Sequence, residues 1–387
     1  MTTSKLRARA LGIPLQGQPG PLNAITDIPG IEVGTVELLS SEDPALASRG
    51  IPVQTGVTAI LPRGRDPVPR PVFAGQFSLN GNGEMTGAHW VRDGGWFCGP
   101  VMLTNSHSVG IVHHATVRWM IETYGAHWEN AHLWAMPVVA ETYDGVLNDI
   151  NGLHIREEHA RAAIDAAKPG PVAEGNTGGG AGMICYEFKG GTGTASRIVE
   201  IDGKSFTVGT LVQANHGLRP WLTVAGKRVG QSMNEDRIPD MQTERGSIIV
   251  VLATDLPLSP GQLERLSRRA SIGISRSGTP GGNNSGDIFL AFSTANAMAL
   301  PQLSGPWRTM TMLNDELLDP VYLAAVEAVD EAILNALCAA TDVPLARPAV
   351  GTCRAIDTER LMRLLDAPRA NADAGDRRAV DKAKAHS

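Results

Sequence analysis

Six consecutive apolar side chains, Ile248 to Ala253, fill the stretch "TERGSIIVVLATD". A strand with no polar face cannot lie against water, so this one reads as fully buried inside a layered fold. Directly before it stand two charges, Gly246 and Ser247. Gly246 and Ser247 form either an ordinary loop-to-strand junction or a hydroxyl placed at the edge of a core to do chemistry.

The rest of the chain supplies the other layers. "ITDIPGIEVGTVEL" reads as a turn feeding a strand, and "TGVTAILPRG", "RPVFAGQFSLNGNGEMTG" and "HLWAMPVVAETYDG" as further strands. The spacing predicts helices from about Ser108 to about Thr123, within "LHIREEHARAAIDAAKPG", within "SPGQLERLSRRASIGI", and over "DPVYLAAVEAVDEAILNALCAAT". "EIDGKSFTVGTLVQAN" and "LTVAGKRVG" each carry a glycine turn between alternating runs, the signature of a hairpin. "GDIFLAFST" is one more strand. Strands and helices are interspersed with no fixed repeat, so the fold class is layered α/β or α+β. The charged final residues 368–387 are expected to form a flexible tail.

Composition removes several functions. A net charge of −6 without a basic stripe argues against nucleic acid as a partner. Cys98, Cys185, Cys338 and Cys353 lie far apart with no C-x-x-C spacing, so they read as small buried apolar residues. His113 and His114 are adjacent, about 100° apart on a helix, and no metal site is expected from them. The opening "MTTSKLRARALGIPLQGQPG" lacks an apolar segment of secretory length, and no 18 consecutive apolar residues occur, so a cytoplasmic protein with no membrane partner is expected.

Familiar catalytic motifs fail. "GQSMN" has Asn234 where a nucleophile elbow needs glycine, and "DGKS" has Ile198 where a P-loop needs its first glycine. "GNTGGGAG" and "GGTGTA" lack the register of a dinucleotide fingerprint, which favours close backbone packing around a site over phosphate binding. No cofactor is expected.

A serine without a partner histidine can still be activated if its own α-amine is freed, because an amine of pKa about 7.7 to 8.0 is partly neutral near pH 7. That requires the bond before Ser247 to be cut. Gly246 suits such a cut, having no β-carbon to block its carbonyl, and Gly-Ser occurs once in the chain.

In its order of blocks the chain resembles the DmpA-like serine peptidases, the self-cleaving β-aminopeptidases and L-aminopeptidase/D-amidase-esterases. The blocks are "ITDIPGIEVG", "NGNGEMTG", "LTNSHSVG", "ETYDGVLND", "GNTGGGAGMICYEFKGGTGTASR", "VQANHG", "RGSIIVVLATD" and "NNSGDIFLAFST". The resemblance implies a single compact unit with an αββα sandwich of two central sheets, related to the N-terminal-nucleophile hydrolases but distinct in connectivity. It implies cleavage into an α chain 1–246 and a β chain 247–387, and a tetramer of αβ heterodimers. Ser247 matches the nucleophile, Asn215 an oxyanion donor, Tyr143 a residue lining the site, and Ser285 with Asp287 the pair beside the nucleophile. Some relatives carry glutamate where Asp287 stands. Glu84, Asn80, Asn82 and Asn105 match pocket-forming blocks and are candidates for holding the substrate's free amine.

The implied activity is release of a small N-terminal residue from a peptide, amide or ester through an acyl-enzyme on Ser247. β-, L- and D-amino-acyl substrates stay equally open. Two rivals accompany it. Acyl transfer of the ornithine-acetyltransferase type uses threonine, which the serine here disfavours; a non-catalytic glycine-rich binding protein would neither split nor hydrolyse anything.

Overall fold

The structure is a computed structural model that describes residues 5–129, 131, 133–239 and 243–366; the expected tail at 368–387 lies outside the described residues. In chain order, β1 (Glu32–Leu39), α1 (Pro44–Ala47), β2 (Gln54–Leu61), β3 (Val72–Ser78), α2 (Ala88–Gly94), β4 (Trp96–Phe97) and β5 (Val101–Asn105) come first. Then follow α3 (Val109–Trp128), β6 (Val138–Thr142), α4 (Glu157–Asp165), β7 (Ile184–Cys185), β8 (Phe188–Lys189), β9 (Gly191–Ile201) and β10 (Lys204–Asn215). The remainder is α5 (Val229–Ser232), β11 (Ser247–Thr254), α6 (Pro260–Arg276), β12 (Gly286–Ser293), α7 (Asp319–Ala339), β13 (Val343–Pro344), β14 (Thr352–Cys353) and α8 (Thr358–Asp366).

Two large sheets organise these elements, one of four strands in the order β1-β2-β5-β6 and one of six in the order β4-β3-β12-β11-β10-β9. Three apolar cores separate four layers. Ile249, Val251 and Ala253 of β11 join Leu103, Val138 and Ala140 between the sheets. Ile248, Val250 and Leu252 of the same strand pack with Leu263 and Leu266 of α6 and Ala325 and Val329 of α7 on the outer side. Val57, Ala59 and Met102 of the smaller sheet are covered by Val112, Trp119, Ala160 and Ile164 from α3 and α4. The unbroken apolar run of β11 is thus explained by two covered faces, and the architecture is the expected αββα sandwich.

Local signals act where they were read. Ser259 caps α6, its Oγ accepting from Gln262 N–H at 3.3 Å while Gln262 Oε1 accepts from Ser259 N–H at 2.9 Å, with Pro260 in the first turn. β9 and β10 form the expected hairpin around Asp202 and Gly203. Three readings change. The hairpin expected in "LTVAGKRVG" shrinks to the single bridge Val224 to Lys227, because α5 begins two residues later. The helix over 108–123 runs on to Trp128. Just ahead of it, β5 is a strand the sequence reading passed over, since its five residues run straight into the polar start of α3.

Both parallel contacts, β5 with β6 and β11 with β12, put equivalent strand ends together. At one end of the sandwich the last residues of β5, β6 and β10 meet the first residues of β11 and β12. The candidate site lies there.

Candidate active site

Ser247 is the first residue of β11, 5% exposed, between two neighbours in the sheet. Asn215, the last residue of β10, is its antiparallel partner, and Gly286, the first of β12, its parallel partner. Register partners project to the same face, so the Ser247 and Asn215 side chains share the face turned toward the smaller sheet. The Ser247 hydroxyl donates to the carbonyl oxygen of Gly246 at 2.7 Å. That oxygen also accepts the backbone N–H of Gly286 at 3.3 Å. A β-carbon on residue 246 would stand 2.0 Å from the Asn215 carbonyl oxygen, and one on residue 286 would stand 2.3 Å from the Asn82 carbonyl oxygen and 3.1 Å from Ser247 Oγ. Both glycines are required by close approach.

The Asn215 amide is fixed at both ends: Nδ2 donates to the Tyr143 carbonyl oxygen at 2.9 Å, and Oδ1 accepts Ile184 N–H at 2.8 Å. An amide nitrogen carries two hydrogens, so one remains for a ligand. Tyr143 follows β6 and is 39% exposed. Tyr143, Asn215, His216, Glu244, Arg245 and Gly246 line a cleft of about 340 Å³. The Gly246–Ser247 bond therefore borders a space large enough for a small peptide.

Ser285 and Asp287 share a face, as their spacing predicts, but it is the face opposite the Ser247 hydroxyl, alongside Ile248. Both are buried, and Ser285 Oγ donates to Asp287 Oδ1 at 2.6 Å. Burial pushes the Asp287 carboxyl above the usual range, partly offset by Ser285, Asn80 and the Ile248 N–H. The acid thus sits beside the backbone at the head of β11, against the Ile248 N–H, on the face away from the Ser247 hydroxyl.

The asparagines all have protein partners at this end of the sandwich. Asn80 Nδ2 donates to Asp287 Oδ2 at 3.2 Å and to Gly282 O at 3.0 Å, and Asn82 Nδ2 to Asn284 O at 2.6 Å. Asn105 is buried, donating to Thr55 Oγ1 at 2.8 Å and accepting from His107 N–H at 3.1 Å. Glu84 is exposed, and its backbone N–H donates to Glu141 Oε1 at 2.9 Å.

Glu141, which sequence reasoning missed, is 6% exposed within β6, and its other carboxylate oxygen accepts from Ser106 Oγ. Burial raises its pKa, and the neighbouring Glu84 charge adds to that against the lowering by Ser106, the Glu84 N–H and His107. A β-carbon on Gly83 would lie 3.1 Å from Glu141 Oε1 and 3.7 Å from the Gly286 Cα, so the carboxylate borders the strand end that holds Ser247. The available signal was a lone acid in the otherwise apolar strand "VVAET".

The glycine clusters pack the site from behind. Residues 178–182 are all buried, and the N–H groups of Gly178 and Gly179 are taken by Glu37 Oε1 at 2.6 Å and Thr58 Oγ1 at 3.0 Å. The buried Lys189 ammonium donates to the carbonyls of Gly180 and Gly190 at 3.2 and 2.9 Å, and burial lowers its pKa to about 7. The Gly178 and Gly179 amides are thus spent on protein acceptors. All four cysteines are free and buried. Among the described residues no helix is long and apolar enough to cross a membrane.

Comparison with known proteins places this geometry. The model of peptidase family S58 matches residues 23–348. The chain is 52% identical over 347 residues to the β-peptidyl aminopeptidase BapA of Sphingosinicella microcystinivorans, covering 86% of each protein. Its fold superposes with a TM-score of 0.88 and 56% identity on the L-aminopeptidase D-Ala-esterase/amidase of Ochrobactrum anthropi, described as a new variant of the Ntn hydrolase fold, covering 93% of this chain and 98% of that one. A Burkholderia β-aminopeptidase follows with a TM-score of 0.83 and 43% identity, over 93% of this chain and 98% of that one. With the family model spanning most of its length and the strand ends arranged around Ser247, this chain belongs to peptidase family S58.

Proposed function

We propose that the protein is a self-processing serine aminopeptidase and amidase whose nucleophile is Ser247. The observation that carries this reading is the contact between the Ser247 hydroxyl and the carbonyl of the residue before it, at a strand end that opens into a cleft.

Maturation needs no outside group. Ser247 Oγ adds to the Gly246 carbonyl carbon while its proton passes to the amide nitrogen of residue 247; the C–N bond then breaks, leaving an ester and a free α-amine. The Gly286 N–H on the Gly246 oxygen stabilises the charge that develops there. Water cleaves the ester, giving a Gly246 carboxylate and restoring the hydroxyl. The chain becomes 1–246 and 247–387.

Turnover repeats the chemistry on a substrate. The neutral α-amine takes the hydroxyl proton as Oγ attacks the first carbonyl of an amino-acyl peptide or amide, then gives it to the leaving nitrogen. Asn215 Nδ2 holds the oxyanion, Tyr143 borders the acyl group, and Ser285 with Asp287 orients the amine. Water, deprotonated by the same amine, releases the acid. Glu141 is the fixed carboxylate suited to the substrate's ammonium, with Glu84 at the rim.

For assembly we propose a homo-oligomer of αβ pairs, a tetramer by family resemblance. Trp307 is 90% exposed, with Met310 and Met312 also exposed on the same connecting segment, an apolar surface that association would bury. Light scattering of the purified protein checks this. The function is tested by p-nitroanilides of alanine, D-alanine and β-alanine: hydrolysis that disappears in Ser247→Ala supports the reading, and hydrolysis that persists there removes it.

A further inference from the structure

Glu244 stands two residues ahead of the scissile Gly246 and is buried, although a glutamate in a loop ordinarily seeks water. Its Oε1 accepts the backbone N–H of Gly217 at 2.5 Å, and its Oε2 the backbone N–H of Gly282 at 3.1 Å. These two amides come from the two loops that carry the catalytic groups. Gly217 lies two residues after Asn215. Gly282 lies three before Ser285, and its carbonyl accepts both Ser285 N–H at 2.9 Å and Asn80 Nδ2 at 3.0 Å.

Both loops are shaped for this contact. A β-carbon on Gly282 would fall 2.1 Å from Glu244 Oε2, and Gly217 has φ +86 with the Tyr186 ring 2.4 Å from where its β-carbon would be. No arginine or lysine bonds the Glu244 carboxylate among the described residues, and its two acceptor contacts go to backbone amides 27 and 38 residues away in the chain.

We infer that Glu244 is the positioning residue of self-cleavage, a clamp that draws the segment 243–246 against the Asn215 and Ser285 loops and so holds the Gly246 carbonyl under the Ser247 hydroxyl. The inference rests on the self-processing reading above. Electrostatics gives the clamp a direction. Glu244 and Asp287 are both buried carboxyls with raised pKa values, by burial first, and Glu244 also feels the Asp287 charge. Cutting the bond creates an ammonium at residue 247, an opposite charge for this acidic pair, so the cleaved state is favoured where the uncut state is repelled.

The test follows the rate at which the fragment beginning at Ser247 appears, by intact mass, in wild type, Glu244→Gln, Glu244→Ala and the non-cleaving Ser247→Ala. Losing hydrogen bonds to a charged group predicts maturation at least about tenfold slower in both Glu244 variants. In Glu244→Gln the amide nitrogen would face a backbone N–H, donor against donor. Added formate, a small carboxylate able to occupy the emptied position, is expected to speed Glu244→Ala and to leave Ser247→Ala uncut. Maturation of both variants at the wild-type rate overturns the inference, as does slowing that tracks a fall in melting temperature and ignores formate. A wild-type chain that never splits before Ser247 removes the self-processing reading instead.

Discussion

Asn215 and Ser247 face each other across β10 and β11 as the last pair of an eight-residue antiparallel ladder. The ladder fixes their separation, and the Tyr143 carbonyl and Ile184 N–H fix the direction of the Asn215 amide. In the oxyanion role proposed above, an amide held this way would need no rearrangement when charge develops.

Asn215→Ala is therefore expected to lower kcat by about 10² to 10³ with a much smaller change in KM, since the lost bond forms only in the transition state. Steady-state kinetics on β-alanine p-nitroanilide, with a melting curve as control, checks it. An equal rise in KM at constant kcat would assign Asn215 to ground-state binding.

In the mechanism proposed above, Asp287 acts on the base rather than on the nucleophile. A carboxylate beside the ammonium of residue 247 raises that group's pKa, so kcat/KM should climb with pH as the amine loses its proton. In Asp287→Asn the climb should move to lower pH, by about one unit or more. A profile that stays in place, measured on matured protein, would leave Asp287 with no hold on the amine.

Glu141 should govern recognition of the free amine. Removing one charge-assisted hydrogen bond predicts that Glu141→Gln loses about 10- to 100-fold in kcat/KM toward free amino-acyl amides. N-acetylated amides, which lack the ammonium, should be poor for both proteins alike. Equal losses on both substrate types would point to a general structural defect.

His216, next to Asn215, gives a stability prediction. Burial lowers its pKa from 6.5 to about 3, so it is neutral in the folded protein while the unfolded chain protonates it near 6.5. Its contribution to stability is fully present above pH 6.5 and is lost as pH falls from there toward 3. His216→Asn should flatten the fall by up to about one proton, read from denaturant midpoints between pH 7 and 4. An unchanged slope would mean that the ring is already hydrated in the fold.

Much of the fold was legible because its long elements obey one period: β11 is apolar throughout, α6 carries its cap in sequence, and β9–β10 turn at Asp202–Gly203. β5 was missed because five residues leave no room for a pattern before α3 begins. At the site, Ser247 stood out by its place between Gly246 and an apolar strand, Asn215, Tyr143, Ser285 and Asp287 entered through motif resemblance, and the strand ends bring all five to one end of the sandwich. Glu244 was not legible, and Glu141 offered only the weak signal of an acid within "VVAET". What singles them out is burial against Ser106 and the Glu84 N–H in one case and Gly217 and Gly282 in the other, contacts between segments distant in the chain. Asn80, Asn82 and Asn105 look alike in sequence, yet each finds protein partners at this end of the molecule.

Intact-mass analysis of purified wild type and Ser247→Ala, with N-terminal sequencing of any second fragment, decides whether the Gly246–Ser247 bond is broken by its own hydroxyl. Wild type is predicted to yield two fragments, the second opening Ser-Ile-Ile-Val, and to hydrolyse amino-acyl amides, while Ser247→Ala stays whole and inactive. Wild-type protein that turns over substrate as one uncut polypeptide would contradict it.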